Sequence, residues 1–313
     1  MSKLTLNKQY FGLAVALGAV YWIFNPAAAV FIGIAFAMLC KPQTSFITKR
    51  VSSYPLQIGI VVLGLTIQFT LVQEIAVSYF PWITLFVFTA LFLGWILYKV
   101  TGIEKNQAIL LTAGSAICGG TAMAAIAPII KANSKDLMIS LTIVFVLNAI
   151  AIVFFPIIGD MLNLTAVEFG AWVSLAVHDT SSVVGSALEF DPEAVKTAAT
   201  LKLGRTLWLI PIVFFAGLLF NKTESKQRFR FPLFILFFIA ALLLQFLVTL
   251  PASVIANLEL LSKLFLLFGL FCVGSQANLT DFKEISLKPI FFSLVMWFCA
   301  IGGSLVILFY SGF

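Results

Sequence analysis

Long apolar runs separated by short polar interruptions set the pattern of this chain. They fall at about Tyr10 to Asn25, Pro26 to Leu39, Tyr54 to Val72, Phe80 to Tyr98, Asn106 to Ile130, Leu137 to Ile158, Thr165 to Leu188, Ala199 to Phe220, Phe231 to Leu250, Leu258 to Leu279 and Pro289 to Phe309. A helix needs about 20 apolar residues to cross a hydrocarbon core about 30 Å thick, and most of these runs have that length. The first two, read as one helix, would be about 45 Å long, so a tight hairpin at Asn25-Pro26 is predicted instead. The pattern predicts an all-α polytopic membrane helix bundle of about 10–11 spans, folded as a single integral membrane domain over residues 1–313.

Composition sharpens this. Of 313 residues, 61% are hydrophobic and 10% charged, against about 45–50% and about 25% in soluble domains. No polar stretch can hold a separate soluble unit, which excludes a fused kinase, nucleotide-binding or DNA-binding module. The net charge of +6 has no basic run behind it beyond Lys222 to Arg230, so it reads as an orientation signal rather than as nucleic-acid binding. Cys40, Cys118, Cys272 and Cys299 are scattered through apolar surroundings and predict no disulfide framework, while a single histidine leaves a histidine-rich metal site without ligands. No cofactor or metal is expected. Lys3 and Lys8 before an apolar run ending in Ala27-Ala28-Ala29 imitate a secretory signal, but we expect the segment to stay in place as a membrane helix.

Charge also orients the chain. With the N-terminus in the cytoplasm, the inside loops collect thirteen of the nineteen Lys and Arg. Lys131, Lys135, Lys196, Lys202, Arg205 and Lys263 break the rule, as re-entrant or broken segments in the middle of the chain would make them do. A short internal match pairs Val62 to Ile75 with Cys272 to Ile285, aligning Gly64 with Gly274, Gln68 with Asn278 and Glu74-Ile75 with Glu284-Ile285. It predicts inverted repeats over about 26–160 and 165–311, with Gln68 and Asn278 as secondary site candidates ahead of Asn148, Gln245 and Gln276.

Two stretches carry the chemistry. In Ala113 to Pro128 (AGSAICGGTAMAAIAP), Gly119-Gly120 can unwind the helix, and the freed N–H groups from Thr121 onward would form a half-helix N-terminus attractive to anions. Ser115 and Thr121 add hydroxyl donors beside Cys118. In Leu175 to Ala187 (LAVHDTSSVVGSA), His178 and Asp179 are ionisable groups inside an apolar run, followed by the hydroxyls of Thr180, Ser181 and Ser182. A histidine whose unperturbed charge change lies near neutral pH makes this pair the ion-coupling candidate. Lys202 and Arg205 stand one helical turn apart on one face. Turned toward the two stretches they would bind an oxyanion, and buried cations would need an anion to offset their cost.

Asn25-Pro26 with Gly33, the GIVVLGL run at Gly59 to Leu65, CGGTAMAAIAP at Cys118 to Pro128, VHDTSSVVGSA at Val177 to Ala187, and Lys202 with Arg205 together resemble a family of bacterial multipass membrane proteins named as sulfate exporters. The resemblance covers almost the whole chain. It implies a bundle distantly similar to sodium/proton antiporters and bile-acid transporters, with inverted repeats and two broken helices crossing near the midplane. It also implies a small anionic substrate such as sulfate or a sulfonate. After His-Asp the family often has small residues and glutamine, where this chain has Thr180-Ser181-Ser182.

These readings converge on a secondary active transporter, an exporter of a small anion coupled to H+ or Na+, in the inner membrane of a bacterium. Gradient coupling is expected because no GxxxxGK[ST] loop is present. A cation/proton antiporter using Asp179 is the alternative and would call for a second buried acid. An intramembrane enzyme with His178 activating Ser115 lacks a GxSxG elbow, so no enzyme is expected. The lipid bilayer is the obligatory partner, and a homodimer is one open assembly.

Overall fold

The computed structural model describes residues 3–40, 46–51, 54–66, 69–220, 233–248, 250–275 and 286–311. Every element among them is helical: α1 (Lys3–Ile23), α2 (Pro26–Cys40), α3 (Ile47–Val51), α4 (Tyr54–Gly64), α5 (Phe69–Thr101), α6 (Lys105–Ala116), α7 (Gly120–Ile126), α8 (Ser134–Met161), α9 (Ala166–Ala176), α10 (Thr180–Phe190), α11 (Ala194–Thr206), α12 (Leu209–Phe220), α13 (Leu233–Leu247), α14 (Ala252–Gly274) and α15 (Leu287–Ser311). The chain is a polytopic all-α membrane bundle. Among the described residues, five helical stretches are long and apolar enough to cross a membrane by themselves.

Among the described residues each apolar run is built from helix, and the hairpin at Asn25-Pro26 forms as predicted. Phe24 takes a positive φ of 52° to turn the chain. Asn25 then caps α2 by accepting from the Ala28 N–H at 2.7 Å, and Pro26 opens the helix where a missing N–H costs nothing. The interruption expected between Val72 and Phe80 is absent. The break comes after Gly64, and α5 runs unbroken for 33 residues with Pro81 inside it.

The two segments expected to be re-entrant or broken take the first form: each folds back as a re-entrant hairpin. For α6–α7, Gln107 in the first turn of α6 donates to Asp136 in the first turn of α8 at 2.9 Å, so the chain has returned to its starting end before α8 begins. For α9–α10, the Phe190 ring at the end of α10 stacks on Phe169 at the start of α9, with centroids 4.0 Å apart. Gly159, near the end of α8, lies against both rings. Between the hairpins α8 runs 28 residues, about 42 Å at 1.5 Å per residue. The hairpins therefore enter from opposite ends of the bundle.

The reversal accounts for two of the anomalous charges. Lys131 and Lys135 flank the start of α8 and stand at the same end as Lys105 at the mouth of the first hairpin. Lys288 shares that end, since it donates to the Gly102 carbonyl at 3.2 Å. The opposite end carries Asp160, Glu168, Glu189, Asp191, Glu193 and Glu259 with Lys196 and Lys263. The first hairpin lies late in the expected repeat 26–160 and the second opens the repeat 165–311, so the two hairpins are not equivalent positions of those repeats.

Around the hairpins, α2, α4 and α14 pack as a unit. Gly33 and Gly274 face each other where α2 crosses α14, so closely that a Cβ on either would meet the partner's backbone. Small residues at such a crossing replace the hydrophobic drive that lipid cannot supply. Ser262 of α14 donates to the Gly59 carbonyl of α4 at 2.8 Å and ties the same unit.

Candidate functional site

The hairpin tips meet inside the bundle. Gly119, at the first tip, has φ +60° and ψ −125°, a conformation open essentially to glycine alone. Its missing side chain lets it approach Asp179 of the second tip, whose Cβ would lie 3.2 Å from a Cβ placed on Gly119. Gly120 opens α7 and rests beside Leu141 and Phe145 of α8. Reversing the chain at each tip leaves backbone carbonyls at the ends of α6 and α9 without intrahelical partners.

Lys202 and Arg205 supply those partners. Arg205 is fully buried, and its Nε donates to Ala116 O at 2.9 Å while a terminal nitrogen donates to Ser115 O, both on the first tip. Its other terminal nitrogen donates to Ser174 O at 3.1 Å and Leu175 O at 2.8 Å on the second tip. The guanidinium also lies 4.6 Å from the centre of the Phe86 ring, a cation–π contact of the kind that gains strength when desolvated. Lys202, equally buried, donates to Val177 O at 2.8 Å. One arginine thus fastens both tips, and both cations complement the negative ends of half-helices. The sequence placed these side chains toward a bound anion; in this structure their hydrogen bonds go to the hairpins.

The remaining candidates sort by position. Ser115 and Cys118 are buried at the first tip, whereas Thr121 lies on an exposed side of α7. Asp179 caps α10 by accepting from the Ser181 N–H at 3.1 Å, so its own carboxylate occupies the helix end expected to receive an anion. Thr180 is half-buried, and Ser181 and Ser182 are buried in the first turn of α10. His178 is 1% exposed with neither ring nitrogen hydrogen-bonded. Gln68 and Asn278, like Gln276, lie outside the described residues.

Sequence reasoning passed over three features. Asn25 donates to both carboxylate oxygens of Glu189 at 2.7 and 2.8 Å, tying the α1–α2 turn to the end of the second hairpin. Beside it, a cavity of about 290 Å³ opens at the acidic end, lined among others by Glu193, Lys196, Glu259 and Lys263. Lys196 bridges Glu193, the residue before α11, and Glu259 of α14, at 3.1 and 3.4 Å. A second, mostly apolar cavity of about 390 Å³ lies between α5, with Phe86 in its wall, and α15, and reaches Ser115 at the first tip. Contacts this far apart in sequence leave no local signal. Asn148, ranked low by the sequence, is 2% exposed with both amide atoms unpartnered.

Comparison with known proteins places the chain. Residues 4–293 match the family model described as conserved hypothetical protein 698. A UPF0324 membrane protein of Vibrio vulnificus is 38% identical over 93% of this chain and 95% of its own length. Another, from Bdellovibrio bacteriovorus, is 34% identical over 98% and 96%. A third, from Bacteroides thetaiotaomicron, is 33% identical over 88% and 83%. No solved structure matches.

Proposed function

Because the chain belongs to the conserved hypothetical protein 698 family of multipass membrane proteins, we propose that it is a secondary transporter of a small anion, of the sulfate or sulfonate class. The observation that carries this reading is the meeting of two re-entrant hairpins from opposite ends around Arg205. Irregular backbone at membrane depth is tolerated where it is buried in protein or lines a cavity, and transporters use such half-helix ends to build a central site reached alternately from each side. Arg205 and Lys202 bring two buried cations to tips where, among the described residues, the acid is Asp179. The four half-helix ends largely cancel, since each carries about half a charge and two are of each sign. A net positive, poorly hydrated site favours an anion. His178, unpartnered beside Asp179, is the coupling group for H+ in this reading, with Na+ the alternative coupling ion. The first-hairpin end, rich in lysine, faces the cytoplasm of a bacterial inner membrane.

Thermal unfolding of the purified protein with sulfate, sulfite, thiosulfate and taurine, at several pH values and with or without sodium, tests the proposal. A ligand at 100 times its Kd stabilises the folded state by about 2.7 kcal/mol, so an anion-selective rise is expected. A rise seen only with sodium or pH and lost in Asp179→Asn would replace anion transport with cation/proton antiport.

A further inference from the structure

We infer that Asn148 is a direct ligand of the transported anion, an inference that rests on the transporter reading. Asn148 lies on the buried stripe of α8 that includes Val144, Ala151, Ile152 and Phe155, and that helix packs on both hairpins. Two contacts fix its depth. Phe145, three residues before it, lies against Gly120 at the first tip, and Ile152, four residues after it, lies 3.4 Å from a Cβ built on Gly185 of α10. These positions are one helical turn either side of Asn148 on the same face. From Gly185 back to Thr180 is about 7.5 Å along α10, and from Ile152 back to Asn148 about 6 Å along α8, at 1.5 Å per residue. Asn148 is therefore level with the first turn of α10 and with the tips.

An amide has two donors and an acceptor, and burying them without partners is costly in any apolar medium. Here neither the nitrogen nor the oxygen of Asn148 has a partner, and neither does either ring nitrogen of His178 at the same depth. The guanidinium of Arg205, by contrast, already makes four bonds to backbone carbonyls, and the Asp179 carboxylate already caps α10. Among the described residues at this level, the groups with hydrogen-bonding capacity unspent are the Asn148 amide and the His178 ring, and His178 is taken by the coupling role. A neutral N–H₂ suits an oxyanion oxygen, adding a hydrogen bond to the positive potential of the tips without adding charge.

The test uses the intact protein and compares wild type with Asn148→Leu, which keeps the volume and removes the polar atoms, and with Asn148→Asp, which keeps the shape and removes the donors. Unfolding is followed without anion and in a titration with sulfate, thiosulfate and taurine. Asn148→Leu is expected to unfold no lower than wild type when anion-free, because it relieves a burial cost. In both variants the anion concentration needed for the thermal shift should rise about tenfold or more, as losing a hydrogen bond to a charged group implies. Wild-type titration behaviour in either variant, or a marked loss of anion-free stability in Asn148→Leu, overturns the inference. A wild-type protein that responds to none of these anions overturns the transporter reading itself and the inference with it.

Discussion

The two hairpins do the same thing from opposite ends, yet they are built to different degrees of fixity. The second carries its own locks. Thr165 and Glu168 form a reciprocal capping box at the start of α9, Asp179 caps α10, and every residue from Ser181 to Leu188 is buried. The first has no side-chain cap on α6 or α7, and its returning helix is only seven residues long with Thr121 exposed. It is held from outside by Gln107 on Asp136 and by Arg205 on its tip carbonyls, and within itself by the Met123 side chain lying over Gly114. A seven-residue returning helix without a side-chain cap opens at lower free energy than an eleven-residue one that is capped and buried from Ser181 to Leu188. By this measure the first hairpin is the easier of the two to move; under the transporter proposal it is the one to act as the gate, with the second as the fixed wall.

Three substitutions would break or sharpen this contrast. The largest effect is expected from Arg205→Met, which abandons carbonyls on both tips at once. Removing one partner of a buried charged network costs about 3–5 kcal/mol, so the unfolding temperature should fall steeply, and hydrogen exchange should rise in both hairpins. Lys202→Met should cost less, about 1.5–3 kcal/mol for lost bonds to a charged donor. Its exchange signature should be confined to residues 174–178, because Lys202 donates only to the second tip. Smallest, at about 1–3 kcal/mol of backbone strain, is Gly119→Ala. Its Cβ would also press on Asp179, so faster exchange is expected at residues 116–122, with the body of α9–α10 unchanged. Equal loosening of both hairpins by Lys202→Met would remove the distinction drawn here.

The candidate site was legible where chemistry is rare in lipid. His178-Asp179, Gly119-Gly120 and the Lys202/Arg205 pair stand out because ionisable groups and adjacent glycines are unusual in apolar runs, and the structure brings all of them to one place. What they face was not legible. Lys202 and Arg205 one turn apart declare a common face, but whether that face meets a ligand or a carbonyl depends on helices 25 to 90 residues away. Asn148 shows the converse, since an amide in an apolar helix reads as a packing bridge until the structure leaves it without a partner.

By itself, the sequence determined that the chain lives in a bilayer, that its apolar runs are helices, and that one of them breaks at Gly119-Gly120, because hydropathy and backbone preference are local properties; the break of the second run, which glycine preference put at Gly185, falls at His178-Asp179 and leaves Gly185 inside α10. Only the tertiary structure decided that the broken helices turn back rather than cross. A break frees the chain direction at one or two residues, and the choice between crossing and returning is made by distant groups: Gln107 on Asp136, Phe190 on Phe169, and the buried cations that take up the carbonyls each reversal leaves open.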